Sequence, residues 1–193
     1  MPPKPKVTKD MILNTVLEIT RKTGFEAVNA RSIAGKLQCS TRPIFTCYEN
    51  MEELKTEFLN FAFEFYNQYV ADYSKSANIK PYLLLPLSYI EFAKEETNLF
   101  KLLFIDGMDL DMAETNDFYK EIGNEEKAKT FSDMIGVQLE SGKEIFLDLF
   151  LYTHGIAVLT ATGKLLFDNY NSEKMLRNFL SVYIKQENKK AGV

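Results

Sequence analysis

The stretch "LQCSTRPIFTCYENMEELK", residues 37–55, carries the signals of two helix starts in one short segment. Ser40 is a good N-cap residue, and Pro43 follows where the first helical turn tolerates its missing N–H. These residues predict a short helix over residues 41–48. Its side chains expected to face inward are Ile44, Phe45 and Tyr48. Asn50 then starts another helix, with Glu53 three positions later as in a capping box.

Two further helix patterns precede this stretch. From Thr8 onward, apolar residues recur at the helical period until Gly24, a residue type that commonly ends a helix. Asn29 can then cap a short helix, "ARSIAGKL". Because this helix and the one over residues 41–48 are joined by a tight turn, the pair predicts a helix-turn-helix, with Thr41, Arg42 and Thr46 facing outward.

The remainder of the chain is also helical in pattern. The helix that starts at Asn50 extends to about residue 73, and a helix follows through "PYLLLPLSYIEFAKEE", which Pro86 should kink or restart. The segment "TNLFKLLF" and a helical stretch broken near Gly123 come next. Two strong helices end the chain, over 141–164 and 172–187. No alternating β-pattern occurs, so we predict an all-α protein of about nine helices.

Charge is distributed unevenly along the 193 residues, whose net charge is −4. Residues 1–50 hold eight basic and four acidic side chains, a net charge of +4, so the remainder carries −8. A basic end on an acidic body indicates a nucleic-acid-binding head. The longest apolar run, residues 145–162, contains Asp148 and His154, which favours a buried helix over a membrane span.

Few residues could support catalysis or hold a metal. Cys39 and Cys47 lack CxxC spacing, so reduced thiols of a cytoplasmic protein are favoured over a metal site or a disulfide. His154 is the only histidine, and its apolar neighbours favour a hydrogen-bonded core residue over a catalyst or ligand. No nucleophile-elbow, phosphate-loop or zinc-protease motif is present. We therefore expect no enzyme and no cofactor.

Residues 8–58 resemble the N-terminal domain of the TetR (tetracycline-repressor) family of transcriptional regulators. The matching pieces are "TGFEAVNARSIAGKLQCS" at 23–40, "RPIFTCY" at 42–48 and "ENMEEL" at 49–54. The resemblance implies a three-helix helix-turn-helix DNA-binding domain over residues 1–50. It further implies that residues 51–193 form a larger helical domain for ligand sensing and dimerisation.

The outward face of the predicted recognition helix supplies the DNA contacts. Arginine is the usual partner of guanine and of phosphate, and threonine can meet a thymine methyl group. The candidate contacts are Arg31, Ser40, Thr41, Arg42, Thr46, Tyr48 and Lys55. Two positions depart from the family pattern, because Phe45 stands where a tyrosine is usual and Met51 where a lysine is frequent. Lys55, one turn later, could replace that lysine.

The larger domain is expected to bind an effector and a second copy of the chain. TetR-like proteins hold an inducer inside this helical body, and aromatic side chains are the candidates to line the site. They are Phe61, Phe65, Tyr66, Tyr69, Tyr89, Phe92, Phe104, Phe131, Tyr152 and His154. Core packing is the alternative role for many of them.

The helix over residues 141–164 is apolar nearly all round, so it should bury one face in its own domain and another against a partner. The resemblance implies a homodimer in which the last two helices of each chain form a four-helix bundle. The candidate interface residues are Phe150, Ala157, Ala161, Leu176, Phe179, Leu180 and Tyr183. A wholly intramolecular core is the alternative.

Together these patterns predict a ligand-responsive transcriptional regulator, a repressor that binds a palindromic operator as a homodimer and releases it on binding a small apolar or aromatic effector. The expected partners are double-stranded DNA, a second copy of the chain and the effector, with no membrane. The departures at Phe45 and Met51 leave one rival open. That rival is an all-α dimeric small-molecule-binding or protein-interaction module whose DNA-binding head has lapsed.

Overall fold

The computed structural model describes residues 7–76, 78–108, 110–121, 123–166 and 169–190. Within these ranges the chain forms nine α-helices and no strand, which confirms the predicted all-α fold. The helices are α1 (Lys9–Thr23), α2 (Ala30–Lys36), α3 (Arg42–Cys47), α4 (Met51–Ser76), α5 (Pro81–Glu95), α6 (Thr97–Lys101), α7 (Asn124–Ile135), α8 (Leu139–Ala161) and α9 (Asn169–Lys190). Short 3-10 helices cover Phe25–Ala27 and Thr115–Lys120, and α6 continues as a π-helical stretch over Leu102–Asp106.

The chain divides into two compact units. The first consists of Met1–Gln68 with Glu96–Gly107, and the second of Tyr69–Glu95 with Met108–Val193. The first unit therefore contains α1 to α3, most of α4, and α6. The functional boundary predicted at residue 50 is a different kind of division, and it stays a prediction.

The cap predicted for α2 is present, and α1, predicted to start near Thr8, is capped as well. The Thr8 hydroxyl accepts a hydrogen bond from the Met11 N–H at 3.2 Å. Asn29 accepts from the N–H groups of Arg31 and Ser32, both at 3.0 Å, and the Ser32 hydroxyl oxygen accepts from the Asn29 N–H. Both helix starts are thus fixed by side chains beside them in sequence, which is why the sequence predicted them.

The start of α3 differs from the prediction. The N-cap is Thr41, in helical rather than extended conformation and without a side-chain cap bond, so Ser40 is not the cap. Pro43 lies in the first turn, as expected. Ile44 and Tyr48 are buried, but Phe45 is 48% exposed, so the prediction that its ring faces inward is wrong. On a helix this short, the two neighbouring buried side chains already fill the side that faces the core.

The start of α4 has the two side-chain hydrogen bonds of a capping box, but one of them differs from the prediction. The Asn50 side chain accepts from the Glu53 N–H at 2.9 Å, as a capping box requires. The Glu53 carboxylate, however, accepts from the N–H of Glu49 at 2.6 Å rather than from that of Asn50. The cap therefore reaches one residue further back along the chain.

An ion pair joins distant segments of the first unit. The Arg21 guanidinium binds both carboxylate oxygens of Glu96, the residue before α6, and one of these bonds, from Nε, measures 2.7 Å. Glu96 is buried, and the same guanidinium lies over the Phe65 ring of α4 at 5.3 Å. Asn98 donates to the Arg21 carbonyl at 3.1 Å. These contacts attach α6 and α4 to the end of α1.

In the second unit, α8 packs along α5, α7 and α9. α5 continues through Pro86 without restarting. The start of α8 lies close to α7. A Cβ added at Gly142 would lie 1.8 Å from the Oγ of Ser132, so a side chain there would collide with α7. Glycine is therefore required at residue 142 by the close approach of the two helices.

One helix among the described ranges, α8, is long and apolar enough to cross a membrane by length and composition alone. The core helix of a water-soluble protein passes the same test. α8 is contacted by three other helices and buries residues such as Leu147, Leu149 and Ala157. Of its most apolar 18-residue window, 39% is buried, so the helix is partly buried within the chain.

Candidate functional site

The outward face of α3 consists of Arg42, Phe45 and Thr46, all exposed. The spacing i, i+3, i+4 places these side chains next to one another on one face of the helix. The Thr46 hydroxyl donates to the Arg42 carbonyl at 3.0 Å, which leaves its oxygen available as an acceptor. Arg42 forms no ion pair with any described residue. The face therefore combines one free cation, an aromatic ring and a hydroxyl.

The other predicted DNA contacts differ in exposure. Arg31 on α2 and Ser40 in the turn are exposed, whereas Thr41 is half-buried. Lys55 is also half-buried, and its ammonium lies 5.9 Å from the centroid of the Phe25 ring. These four residues stay candidates.

Tyr48 does not suit the role predicted for it. It is 2% exposed, and its hydroxyl is buried. Burial, reinforced by the negative charge of Glu57, raises the pKa of Tyr48 above its ordinary value. Its inclusion among the DNA contacts is therefore wrong, since a ring enclosed by the core cannot reach a nucleic acid. Tyr48 anchors α3 instead.

Several cations of the basic segment are already neutralised. Lys9 pairs with Glu57 at 2.5 Å, Lys36 with Glu18 at 2.9 Å, and Arg21 with Glu96. Four cations up to residue 55 have no carboxylate partner among the described residues. They are Lys22, Arg31, Arg42 and Lys55. Glu49, Glu52 and Glu53, all exposed, surround the start of α4, so the region directly after α3 is acidic.

The predicted effector residues fall into both units. In the first unit, Tyr66 packs edge-on against Phe104 at 4.9 Å, and Phe65 lies beneath Arg21. Phe61 packs on Phe58 at 6.5 Å. In the second unit, Tyr69 packs on Phe92 at 5.1 Å and Tyr152 on Phe179 at 4.9 Å. These pairs are the ring contacts of a packed core.

His154 is hydrogen-bonded, as its apolar surroundings predicted. Its Nδ1 lies 3.0 Å from the Tyr89 hydroxyl, and its ring stacks on Phe150 at a centroid distance of 5.8 Å. Burial lowers the pKa of His154 below its ordinary value of about 6.5. The neutral imidazole is therefore the form that this packing favours.

A cavity of about 380 Å³ lies between α5, α7 and α8 in the second unit. Its size is within the range of small-molecule sites. Its walls are mostly apolar, with two charged side chains. The residues that line the cavity are Pro81, Tyr82, Leu85, Pro86, Gly123, Glu126, Lys127, Thr130, Phe131, Met134, Phe146 and Leu149. Leu85 and Met134 are exposed, so apolar surface borders the opening.

Of the ten aromatic residues predicted to line an effector site, Phe131 is the one in the wall of this cavity. The other nine residues lie on α4, α5, α8 and the π-helical stretch Leu102–Asp106, and their ring type does not indicate which helix faces enclose a space. A weak signal for the cavity is the pair Pro81 and Pro86 on α5. Pro86 has no N–H to donate to the carbonyl of Tyr82 one turn earlier, so an acceptor is left on that side of the helix.

The predicted dimer residues fall into a buried group and a half-buried group. Ala157, Ala161, Leu176 and Leu180 are at most 4% exposed within a single chain. They pack in the protomer's own core, and their place in an interface stays a prediction. Phe150, Phe179 and Tyr183 are half-buried.

Exposed apolar side chains nonetheless lie on these two helices. Leu151 and Leu159 flank Gly155 at four-residue intervals on α8, and Val182 of α9 is 53% exposed. A Cβ at Gly155 would meet no atom of the protomer within 4 Å. The α8 face therefore has an apolar surface with a glycine at its centre.

The sequence matches no protein-family model and no curated protein. Within the described ranges, no group of three or more His, Cys, Asp or Glu side chains is placed to hold a metal ion. Cys39 and Cys47 are free thiols. Three features of the described residues are candidates for binding: the exposed face of α3, the cavity and the α8 surface.

Because the chain has one histidine, a single imidazole signal reports the state of His154 in NMR. We expect it to titrate below about pH 6.5 in the folded protein. The unfolded chain then binds more protons than the native state, so the free energy of unfolding should fall as the pH drops below 6.5. Tyr89→Phe should keep a lowered pKa, because burial causes the shift; a folded-state pKa at or above 6.5 would contradict this assignment.

Proposed function

We propose that this chain is a ligand-responsive transcriptional regulator, a repressor that binds a palindromic operator as a homodimer. The observation that carries the proposal is the face of α3, where Arg42, Phe45 and Thr46 are exposed while Ile44 and Tyr48 anchor the helix. A short helix held by its inner side chains, with a free arginine outside, suits insertion into a major groove. The resemblance of residues 8–58 to the TetR family supports the same assignment.

The unpaired cations of the head support DNA binding, and their small number limits the electrostatic part of the affinity. Lys22, Arg31, Arg42 and Lys55 are the cations without carboxylate partners in the described part of the head. Each phosphate neutralised contributes about 0.9 to the slope of log affinity against log salt. Phosphate contacts from these four described cations alone would give a slope of about 3.6 per head, so the affinity should depend on salt.

The cavity between α5, α7 and α8 is our candidate effector site. Its apolar wall suits an apolar or aromatic molecule. The Glu126 carboxylate and the Thr130 hydroxyl in the wall would accept hydrogen bonds from a hydroxyl or amino group on that molecule. We therefore expect the effector to combine an apolar body with a hydrogen-bond donor.

An effector acts on DNA binding only through a difference in its affinity for the two states of the protein. Such coupling is typically about 1–3 kcal/mol, or roughly 5- to 150-fold in affinity. The proposal is one of binding and regulation in the cytoplasm, without catalysis or a cofactor.

The direct test is binding to the DNA upstream of the protein's own coding sequence. Fluorescence anisotropy should show saturable binding that exceeds binding to a shuffled duplex of the same composition. Binding to neither duplex, by a folded protein that still binds small molecules, would support the rival dimeric module with a lapsed head.

Arg42→Ala should weaken specific binding by about 1–3 kcal/mol if its guanidinium reads a base. Lys55→Ala should instead weaken binding to both duplexes alike and lower the salt slope by about 0.9, the effect of one lost phosphate contact. Titrations at several salt concentrations separate the two effects. If Arg42→Ala binds the specific duplex as tightly as the parent, α3 is not the recognition helix.

Gly155→Leu tests the dimer without disturbing the protomer. Because a Cβ at this position would lie more than 4 Å from the other parts of the chain, and glycine is a poor residue inside a helix, we expect the variant protomer to keep its fold. If α8 packs against a second copy, the added side chain should shift sedimentation from dimer to monomer. Lys174→Leu, exposed on α9, is the control for an added apolar surface residue. A parent that sediments as a monomer at micromolar concentration would refute the dimer.

The absence of tryptophan makes the cavity testable by fluorescence. Phe146→Trp places a single indole in its wall, and Phe63→Trp places one on the exposed side of α4 as a control. In a screen of small aromatic alcohols and amines, compounds that change only the Phe146→Trp signal should also weaken DNA binding. A compound that releases DNA while leaving the Phe146→Trp signal unchanged would locate the effector site elsewhere.

A further inference from the structure

We propose that Phe45 determines DNA sequence specificity by packing its ring against thymine methyl groups in the major groove. This inference rests on the proposed DNA-binding function and assigns a role to a residue for which the sequence predicted only inward packing. It concerns how the head chooses a sequence, not whether it binds DNA.

The outward ring of Phe45 contributes little to the packed core. The ring is 48% exposed and forms no aromatic pair with another described residue. Its neighbours Ile44 and Tyr48 are buried and hold α3 to the core. Isolated exposed apolar residues are common on proteins, but this one lies between Arg42 and Thr46 on the face proposed to enter the groove.

The chemistry of the ring selects its target. Phenylalanine has no atom that can hydrogen-bond a phosphate, and Glu49, Glu52 and Glu53 make the adjoining surface unfavourable for the backbone. The apolar group on the floor of the major groove is the C5-methyl group of thymine.

Arg42 and Phe45 would then read adjacent base pairs by different means. The free guanidinium suits guanine, whose two acceptors it can bind together, and the ring suits thymine. The head should therefore prefer a guanine within one or two base pairs of a thymine in each half-site. Cytosine at the thymine position lacks the methyl group and should be disfavoured.

The expected effect is modest and measurable. Burial of one methyl-sized group corresponds to about a fourfold change in affinity, equivalent to about 0.8 kcal/mol. In a palindromic site the contact occurs twice, so loss of both methyl groups should weaken binding by roughly sixteenfold when the two contacts are independent.

The experiment starts from duplexes selected by the parent protein from a random-sequence library. The preferred duplex is then synthesised with uracil in place of thymine, one position at a time. This change removes the methyl group and keeps the base pairing. The parent should lose about fourfold in affinity at each thymine that Phe45 contacts. At those positions Phe45→Ala should bind the thymine and uracil duplexes equally.

Two variants serve as controls. Phe45→Tyr keeps the ring and should keep the preference for thymine over uracil, even if its hydroxyl changes affinity for all duplexes. Phe63→Ala removes another exposed phenylalanine of the same unit, 40% exposed on α4, and should leave the preference unchanged. Thermal unfolding of each variant checks that the fold is retained.

The outcomes separate this inference from the proposed function. If the parent selects no duplex from the library, the proposed DNA-binding function fails, and the role of Phe45 fails with it. If the parent binds tightly but uracil substitution has no effect, or has the same effect on Phe45→Ala, only the role of Phe45 is refuted. A thymine preference that disappears in Phe45→Ala and persists in Phe45→Tyr supports it.

Discussion

The bidentate pair between Arg21 and Glu96 is the contact on which the first unit depends. A nearly buried carboxylate loses its hydration, and only a partner that satisfies both oxygens offsets that loss. The pair brings the residue before α6 to the end of α1, and Asn98 covers the carbonyl of Arg21. With Phe65 of α4 beneath the guanidinium, three segments far apart in sequence are held together. Together with the Phe104 ring, which packs on Tyr66 of α4 at 4.9 Å, this contact links residues 96–107 to the first unit.

Each of the three surfaces proposed for binding includes exposed apolar side chains. Phe45 lies on the outer face of α3, Leu85 and Met134 border the cavity, and Leu151 and Val182 lie on α8 and α9. The surroundings of these groups differ. Phe45 lies beside a free arginine, Leu85 and Met134 lie at a concave wall, and Leu151 lies on a long helix with a glycine at the centre of its apolar face. A single chain thus offers three chemically distinct surfaces, as a protein that joins DNA binding, sensing and self-association requires.

The sequence predicted what adjacent residues decide. Thr8 and Asn29 cap α1 and α2 by bonds to N–H groups three residues away or fewer, so their roles can be read locally. It failed where tertiary packing decides. Ser40 has a good capping side chain, but the helix starts after Thr41, and Phe45 turns outward because Ile44 and Tyr48 occupy the core. The cavity was missed for the same reason: ring type does not reveal which helix faces leave a space, and Phe131 alone was common to both sets.

Because the head carries few unpaired cations, the proposed DNA binding would depend on self-association for most of its affinity. A head with four unpaired cations in its described part would bind DNA weakly alone, since phosphate contacts supply much of the affinity. Joining two heads makes the second contact intramolecular and can raise the overall affinity by about 10²- to 10⁴-fold. Most of the operator affinity would then reside in the simultaneous fit of both heads, which a small change in either protomer disturbs. Under the proposed function, a coupling of about 1–3 kcal/mol from a molecule in the cavity would weaken that fit by roughly 5- to 150-fold.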